Sequence, residues 1–152
     1  MIRNLLLIVF AALVAGAARV SALTCGGTPQ NVITDANFIT ALDAYFEACT
    51  TCNGANPCDS SPYGPIADWD VSAVTTMDNA FNSRQTFNGD VSGWDVGKVT
   101  SFNYMFMNAR VFNQDLSSWN TESAISMTSM FATAAAFNQE IGDWDVSNVE
   151  NM

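Results

Sequence analysis

The sequence predicts an α/β fold: a solenoid of tandem repeats, each with one parallel strand and one short helix, capped by an N-terminal helix. Three observations predict it. All four tryptophans, Trp69, Trp94, Trp119 and Trp144, follow one another at intervals of 25 residues, and a strict period of this length marks units that stack on one another. Two phenylalanine columns, Phe81, Phe106, Phe131 and Phe87, Phe112, Phe137, keep the same period. A single amphipathic segment precedes the first repeat, where a stack needs a cap to keep its apolar end from water.

The chain begins with a segment of a different kind. Arg3 is followed by an unbroken apolar run from Leu5 to Ala18, and Val20-Ser21-Ala22 ends on small residues. A basic start, a short apolar stretch and a small-x-small end form a secretory signal peptide, residues 1–22, with cleavage expected after Ala22. The run is shorter than the roughly 20 residues a membrane span needs. A secreted or cell-surface location follows. Cleavage removes Arg3 and Arg19, leaving Arg84, Lys98 and Arg110 against fifteen acidic residues. Such a surface offers no basic footprint for nucleic acid and is repelled by anionic membrane.

Residues 23–68 form the predicted N-terminal cap. A helix is expected over about 35–48, capped by the side-chain oxygen of Thr34 or Asp35, with Phe38, Ala41, Leu42, Tyr45 and Phe46 on one face. A loop rich in Asn, Gly, Ser and Pro follows over 49–65. The four cysteines, Cys25, Cys49, Cys52 and Cys58, all precede the first repeat. In an oxidising compartment an even count points to two disulfides rather than to zinc or redox chemistry, with three pairings open.

The repeats are 69–93, 94–118 and 119–143, with a partial unit at 144–152. Val91-x-x-Trp94-x-Val96, Leu116-x-x-Trp119-x-Thr121 and Ile141-x-x-Trp144-x-Val146 have the apolar spacing of a leucine-rich-repeat strand. On a strand, Trp and Val two apart point to the core and the residue between them points outward. That residue is Asp70, Asp95, Asn120 or Asp145, and these four are the candidate ligand-facing positions. Stacked carboxylates repel unless water, a basic peptide or a calcium ion compensates them, and Asn120 interrupts any continuous calcium column. Asp90, Asp115 and Glu140 form a second acidic column beside the strand start or cap its turn. Phe102, Met105 and Phe106 lie at i, i+3 and i+4, the spacing of a helical turn. Asn88, Asn113 and Asn138 each follow a core phenylalanine and predict a buried asparagine ladder bonding backbone groups of the next unit. The tryptophans and phenylalanines are expected to be core.

Enzymatic chemistry is not expected. The chain has no histidine, which removes histidine triads and the commonest transition-metal ligand. Its acids recur in similar surroundings, unlike the tuned carboxylate pair of a glycosidase. No catalytic, cofactor-binding or metal residue is assigned. Met152 falls at the ninth position of a repeat, which predicts that the array continues.

Trp69-Asp70-Val71-Ser72-x-Val74-Thr75-x-Met77, Phe112-Asn113-Gln114-Asp115-Leu116-Ser117-x-Trp119 and Trp144-Asp145-Val146-Ser147-Asn148-Val149 resemble the repeat of the BspA-like leucine-rich-repeat surface proteins. Tyr63-Gly64-Pro65-Ile66 resembles the lead-in to such arrays. The resemblance covers residues 33–152, with a departure at Thr121, Glu122 and Ala124. It implies a surface location and a role in adhesion to an extracellular protein or glycan, and no catalytic residue. The alternative is a structural wall or matrix component that self-associates through its ends.

Overall fold

In the computed structural model, the described residues are 32–51 and 63–152, without the side chains of 48–51. The signal peptide, most of the predicted cysteine loop and the side chains of all four cysteines lie outside this set. Strand β1 (Val32–Thr34) leads into helix α1 (Phe38–Thr51), a 3-10 turn spans Ile66–Asp68, and strand β2 is Asp70–Ala73. β1 and β2 pair in parallel, Val32 with Asp70 and Thr34 with Ala73, with an irregularity between.

This corrects the predicted α/β architecture. Among the described residues there is one α-helix and one two-stranded sheet, so the leucine-rich-repeat-like solenoid with a strand and a helix in every repeat does not form. From Val74 onward the chain is a succession of turns, and only single parallel bridges join Thr76, Ser101, Ser126 and Asn151.

The backbone hydrogen bonds explain why. Over 77–84, alternate N–H groups do different things. Ala80, Asn82 and Arg84 donate to the carbonyls of Met77, Asn79 and Phe81 in the same coil, at 3.0–3.2 Å. Met77, Asn79, Phe81 and Ser83 donate to Ser101, Asn103, Met105 and Met107 in the next coil, at 2.8–2.9 Å. Phe102, Tyr104, Phe106 and Asn108 repeat the pattern toward Ser126, Thr128, Met130 and Ala132. An α-helix directs every N–H along its own axis and has none left for a neighbour. The alternation is made possible by residues in the left-handed region, Asn79, Tyr104, Ser129 and Ser83, Asn108, Thr133, with φ between 52° and 61°. Space agrees: equivalent rings in successive coils are 5.2–6.2 Å apart in both the tryptophan and phenylalanine columns. A helix, about 10 Å across, cannot recur at that spacing.

The predicted strands at 94–96, 119–121 and 144–146 fail for a related reason. Trp94, Trp119 and Trp144 donate their backbone N–H to Val91, Leu116 and Ile141, and Val99, Ala124 and Val149 donate to Val96, Thr121 and Val146. These local turns use the donors that a ladder would need. The inside–outside alternation survives: Trp94 and Val96 are buried and Asp95 is exposed.

Left-handed backbone strains a β-branched residue most. Thr133 has φ 59° and is exposed, while its counterpart 25 positions earlier is Asn108, a residue that tolerates this conformation. Thr133→Asn is expected to stabilise the fold by about 0.5–1 kcal/mol, measured as a higher midpoint in urea.

Helix α1 starts three residues later than the sequence suggested. Asn37, not Thr34 or Asp35, precedes its first turn. The Asn37 carbonyl accepts from Ala41 at 2.8 Å, and its side-chain Oδ1 accepts the Thr34 N–H at 2.7 Å. Asp35 is engaged elsewhere. Its carboxylate accepts the N–H and hydroxyl of Thr75, at 2.7 and 2.6 Å, and the N–H of Thr76 at 3.4 Å. In later coils the counterparts Thr100 and Ile125 donate that N–H to the carbonyl of the preceding coil, Thr75 or Thr100. Asp35 therefore stands in for the backbone of a coil that does not precede the first. Above it, α1 lays Tyr45 against Trp69, Phe46 against Phe81 and Phe87, and Phe38 against Trp94, with centroids 5.8–6.2 Å apart. Arg84 lies 4.0 Å over the Phe46 ring and 3.4 Å from Asp43.

Candidate functional site

The core columns decide what the surface is free to do. Trp69, Trp94 and Trp119 are buried and Trp144 is half-buried. The indole N–H groups of Trp94, Trp119 and Trp144 each reach a carbonyl three positions before the preceding tryptophan. Trp94 donates to Ile66 at 2.9 Å, Trp119 to Val91 at 3.1 Å and Trp144 to Leu116 at 2.9 Å; Trp69 donates to Gly64 at 3.3 Å. Phe81, Phe87, Phe106 and Phe112 are buried, while Phe131 and Phe137 are half-buried. Within each coil the two rings stack at 4.0–4.2 Å.

The four outward positions, Asp70, Asp95, Asn120 and Asp145, are all exposed. Each side-chain Oδ1 accepts the N–H two residues on, from Ser72, Gly97, Glu122 and Ser147, at 2.9–3.1 Å. This is an Asx turn, and it explains why Asn120 serves where the other repeats have Asp: the turn needs the oxygen, not the charge. A Cβ placed on Gly97 would lie 3.3 Å from Asp95 Oδ1 and 3.4 Å from Asn120 Nδ2, so side chains of neighbouring coils come together on this face. Asp90 and Asp115 build the same turn with Ser92 and Ser117, at 3.0 and 2.9 Å.

The asparagine column is exposed rather than buried, which corrects the expected burial. Asn88 Oδ1 accepts the Asn113 N–H at 2.9 Å and Asn113 Oδ1 accepts the Asn138 N–H at 2.8 Å. Gln114 and Gln139 add side-chain bonds to the Asn88 and Asn113 carbonyls, each at 3.0 Å. Sequence reasoning missed a second ladder. Asp78 Oδ1 accepts the Ser101 hydroxyl at 2.6 Å and the Asn103 N–H at 2.9 Å, and Asn103 Oδ1 accepts the Ser126 hydroxyl at 2.6 Å and the Thr128 N–H at 2.9 Å. The signal was available as a polar residue directly after the Met77, Phe102 and Met127 core column. Thr121, one of the departures from the repeat pattern, is buried, and its hydroxyl donates to the Asp145 carbonyl at 3.0 Å.

Hydrogen bonding sets the carboxylate protonation. The Ser72, Ser92 and Ser147 hydroxyls and backbone N–H groups hold Asp70, Asp90 and Asp145 below the usual carboxylate range. The Ser117 N–H, then its hydroxyl, does so for Asp115, and the Thr75 hydroxyl, then its N–H, for Asp35. A carboxylate whose folded pKa is depressed contributes stability that is present above its unfolded pKa of about 3.9 and lost as pH falls toward the folded value. The thermal midpoint is therefore expected to fall below about pH 4. Replacing Asp70, Asp90, Asp115 and Asp145 by Asn keeps the turn acceptors and removes the titration, so that variant should show a shallower fall. Melting curves from neutral pH to pH 2.5 check this.

No group of three His, Cys, Asp or Glu side chains able to hold a metal ion occurs among the described residues, and no helix among them is long and apolar enough to cross a membrane. A family described as "Mycoplasma protein of unknown function, DUF285" matches residues 37–152. The chain belongs to this family. The match takes in helix α1 and every coil of this DUF285 chain. No curated protein and no solved structure was found to be similar.

Proposed function

We propose that the protein is a secreted or cell-surface repeat module that binds an extracellular protein or glycan in adhesion, and that it is not an enzyme. The observation that carries this reading is the division of labour between columns. The aromatic positions are spent inside the stack, while the Asx positions and the asparagines stand exposed on its surface, spaced 25 residues apart in the chain. A surface of that kind presents the same polar group several times, which suits weak contacts added together. The signal-peptide pattern and the resemblance to BspA-like surface proteins support the location. The acids with lowered pKa are turn acceptors at the surface, not a tuned acid–base pair.

Protein and glycan arrays probed with the chain, and with a variant carrying Asp70→Asn, Asp95→Asn and Asp145→Asn, test the reading. The variant keeps the turns, as Asn120 does, and removes only charge. Binding by the parent that weakens in the variant supports an adhesive face built on this column. A parent that binds nothing on either array, at concentrations up to the millimolar range where weak repeat contacts act, sinks the adhesion reading.

A further inference from the structure

Asn88-Gly89 lies in the first coil where it meets the second, and each residue of the pair has its own structural use. Asn88 is exposed, and it holds the second coil twice. Its Oδ1 accepts the Asn113 N–H at 2.9 Å, and its carbonyl accepts Gln114 Nε2 at 3.0 Å. Gly89 is set by packing. A Cβ there would lie 2.7 Å from Phe87 Cε2, 3.0 Å from Phe87 Cζ and 3.2 Å from Ile66 Cγ2. The Phe87 ring has no room to give way, because it is buried and stacks on Phe81 at 4.2 Å and on Phe112 at 5.8 Å. The equivalent pairs in the later coils are Asn113-Gln114 and Asn138-Gln139, so only the first coil has glycine after the ladder asparagine. Residues 87–91 lie in neither helix nor strand, and the Gly89 N–H donates to no acceptor among the described residues.

We propose that Asn88-Gly89 is a self-modification site of the folded protein, where Asn88 is hydrolysed to aspartate and isoaspartate, and that the isoaspartyl product releases the second coil from Asn88. Hydroxide takes the Gly89 amide proton, and the nitrogen bonds to Asn88 Cγ. The Cγ–Nδ2 bond breaks, and Nδ2 takes a proton back from water and leaves as ammonia. Water then opens the cyclic imide. Breaking the bond from Gly89 N to Cγ gives aspartate. Breaking the bond from Gly89 N to the main-chain carbonyl carbon of Asn88 gives isoaspartate, whose main chain runs through Cγ. Three features favour the first step. The attacking nitrogen and Cγ belong to adjacent residues, glycine has no side chain to shield that nitrogen, and the Asn113 N–H on Oδ1 stabilises the negative charge that develops there. Asn113 has the same activation, its Oδ1 accepting the Asn138 N–H at 2.8 Å, but the Gln114 side chain crowds its nucleophile. The isoaspartyl chain is longer by one carbon–carbon bond, about 1.5 Å. Its flanks are pinned: Phe87 is in the aromatic stack, and the Val91 carbonyl holds both the Trp94 N–H and the Trp119 indole. The added length must bulge between them, which moves both Asn88 acceptors off Asn113 and Gln114. The reaction needs no ligand and is independent of adhesion.

The test incubates the full chain in mildly alkaline buffer, folded and in urea, and reads deamidation peptide by peptide by mass spectrometry, with isoaspartate methyltransferase labelling the isoaspartyl product. Peptide resolution separates Asn88 from Asn53-Gly54, the other Asn-Gly pair, which lies outside the described residues. In the folded chain Asn88 should convert several times faster than Asn113 and within a few-fold of its own rate in urea. Sucrose, which favours the folded state, should leave that rate unchanged. Conversion of folded Asn88 no faster than that of Asn113 overturns the proposal. A rate that sucrose suppresses also overturns it, because the reaction then requires unfolding. The second measurement is amide exchange at Asn113. It should speed up by about tenfold or more in the isoaspartyl protein isolated by chromatography, and stay as in the parent in Asn88→Asp, which keeps the side-chain acceptor and the normal main chain. Equal exchange in the isoaspartyl protein and in Asn88→Asp overturns the release of the second coil.

Discussion

Phe106→Ala is expected to cost about 3–5 kcal/mol of folding stability, the range for emptying a fully buried aromatic site. Phe106 is 0% exposed. Its ring stacks on Phe112 at 4.0 Å in its own coil, on Phe81 at 5.2 Å below and on Phe131 at 5.5 Å above. Alanine leaves a void bounded by three rings whose positions are held by their own backbone bonds, so the cavity cannot close cheaply. Its backbone N–H still reaches Met130 at 2.9 Å, so the loss isolates packing from hydrogen bonding. Phe131→Ala, one place along the same column, removes a ring that is half-buried, and should cost clearly less, about 1–2 kcal/mol. Urea unfolding of the two variants decides the matter. Equal costs would mean that burial along the column does not set the cost of losing a ring.

The second large effect is expected at Trp119→Phe, about 1–3 kcal/mol, from one lost hydrogen bond and a smaller ring. The indole N–H donates to the Val91 carbonyl at 3.1 Å across the coil boundary. That carbonyl also accepts the Trp94 backbone N–H at 3.2 Å within its own coil. One oxygen thus closes a local turn and anchors the next coil. Phenylalanine keeps much of the contact with Phe102, 5.9 Å away, and with Trp144, 6.2 Å away, but it cannot donate. If Trp119→Phe matched the parent in urea, the indole bond would add nothing, and the constancy of tryptophan at this position would rest on ring size alone.

The two variants also show how much could be read from the residues. The interval between tryptophans pointed to units that lie on one another, and residues 25 apart do meet: Thr76, Ser101, Ser126 and Asn151 pair in sequence. The alternation of Trp94, Asp95 and Val96 pointed to one side chain outward between two inward, and the burial is of that kind. The backbone between these points was misread. Phe102, Met105 and Phe106 have helical spacing, yet their segment turns left-handed at Tyr104 and Asn108. Spacing at i, i+3 and i+4 records which side chains face the core, and a coil of successive turns puts the same ones there. The outward acids also have a local role that their spacing did not show. Their local partners, Ser72, Gly97, Glu122 and Ser147, lie only two residues away, and Asn at 120 was the clue that an oxygen rather than a charge is required.

By itself the sequence determined the period, the inward aromatic columns, the amphipathic helix ahead of the first coil and the absence of histidine chemistry. Those properties depend on composition and on short-range pattern. Only the tertiary structure decided the path of the backbone and the use of Asp35 in place of a preceding coil. The physical reason is the length of the loop each bond closes. The N–H of Phe81 finds its acceptor at Met105 and that of Phe106 at Met130, a whole coil away. A helix and a stacked turn differ in just those partners, and a window of a few residues contains neither.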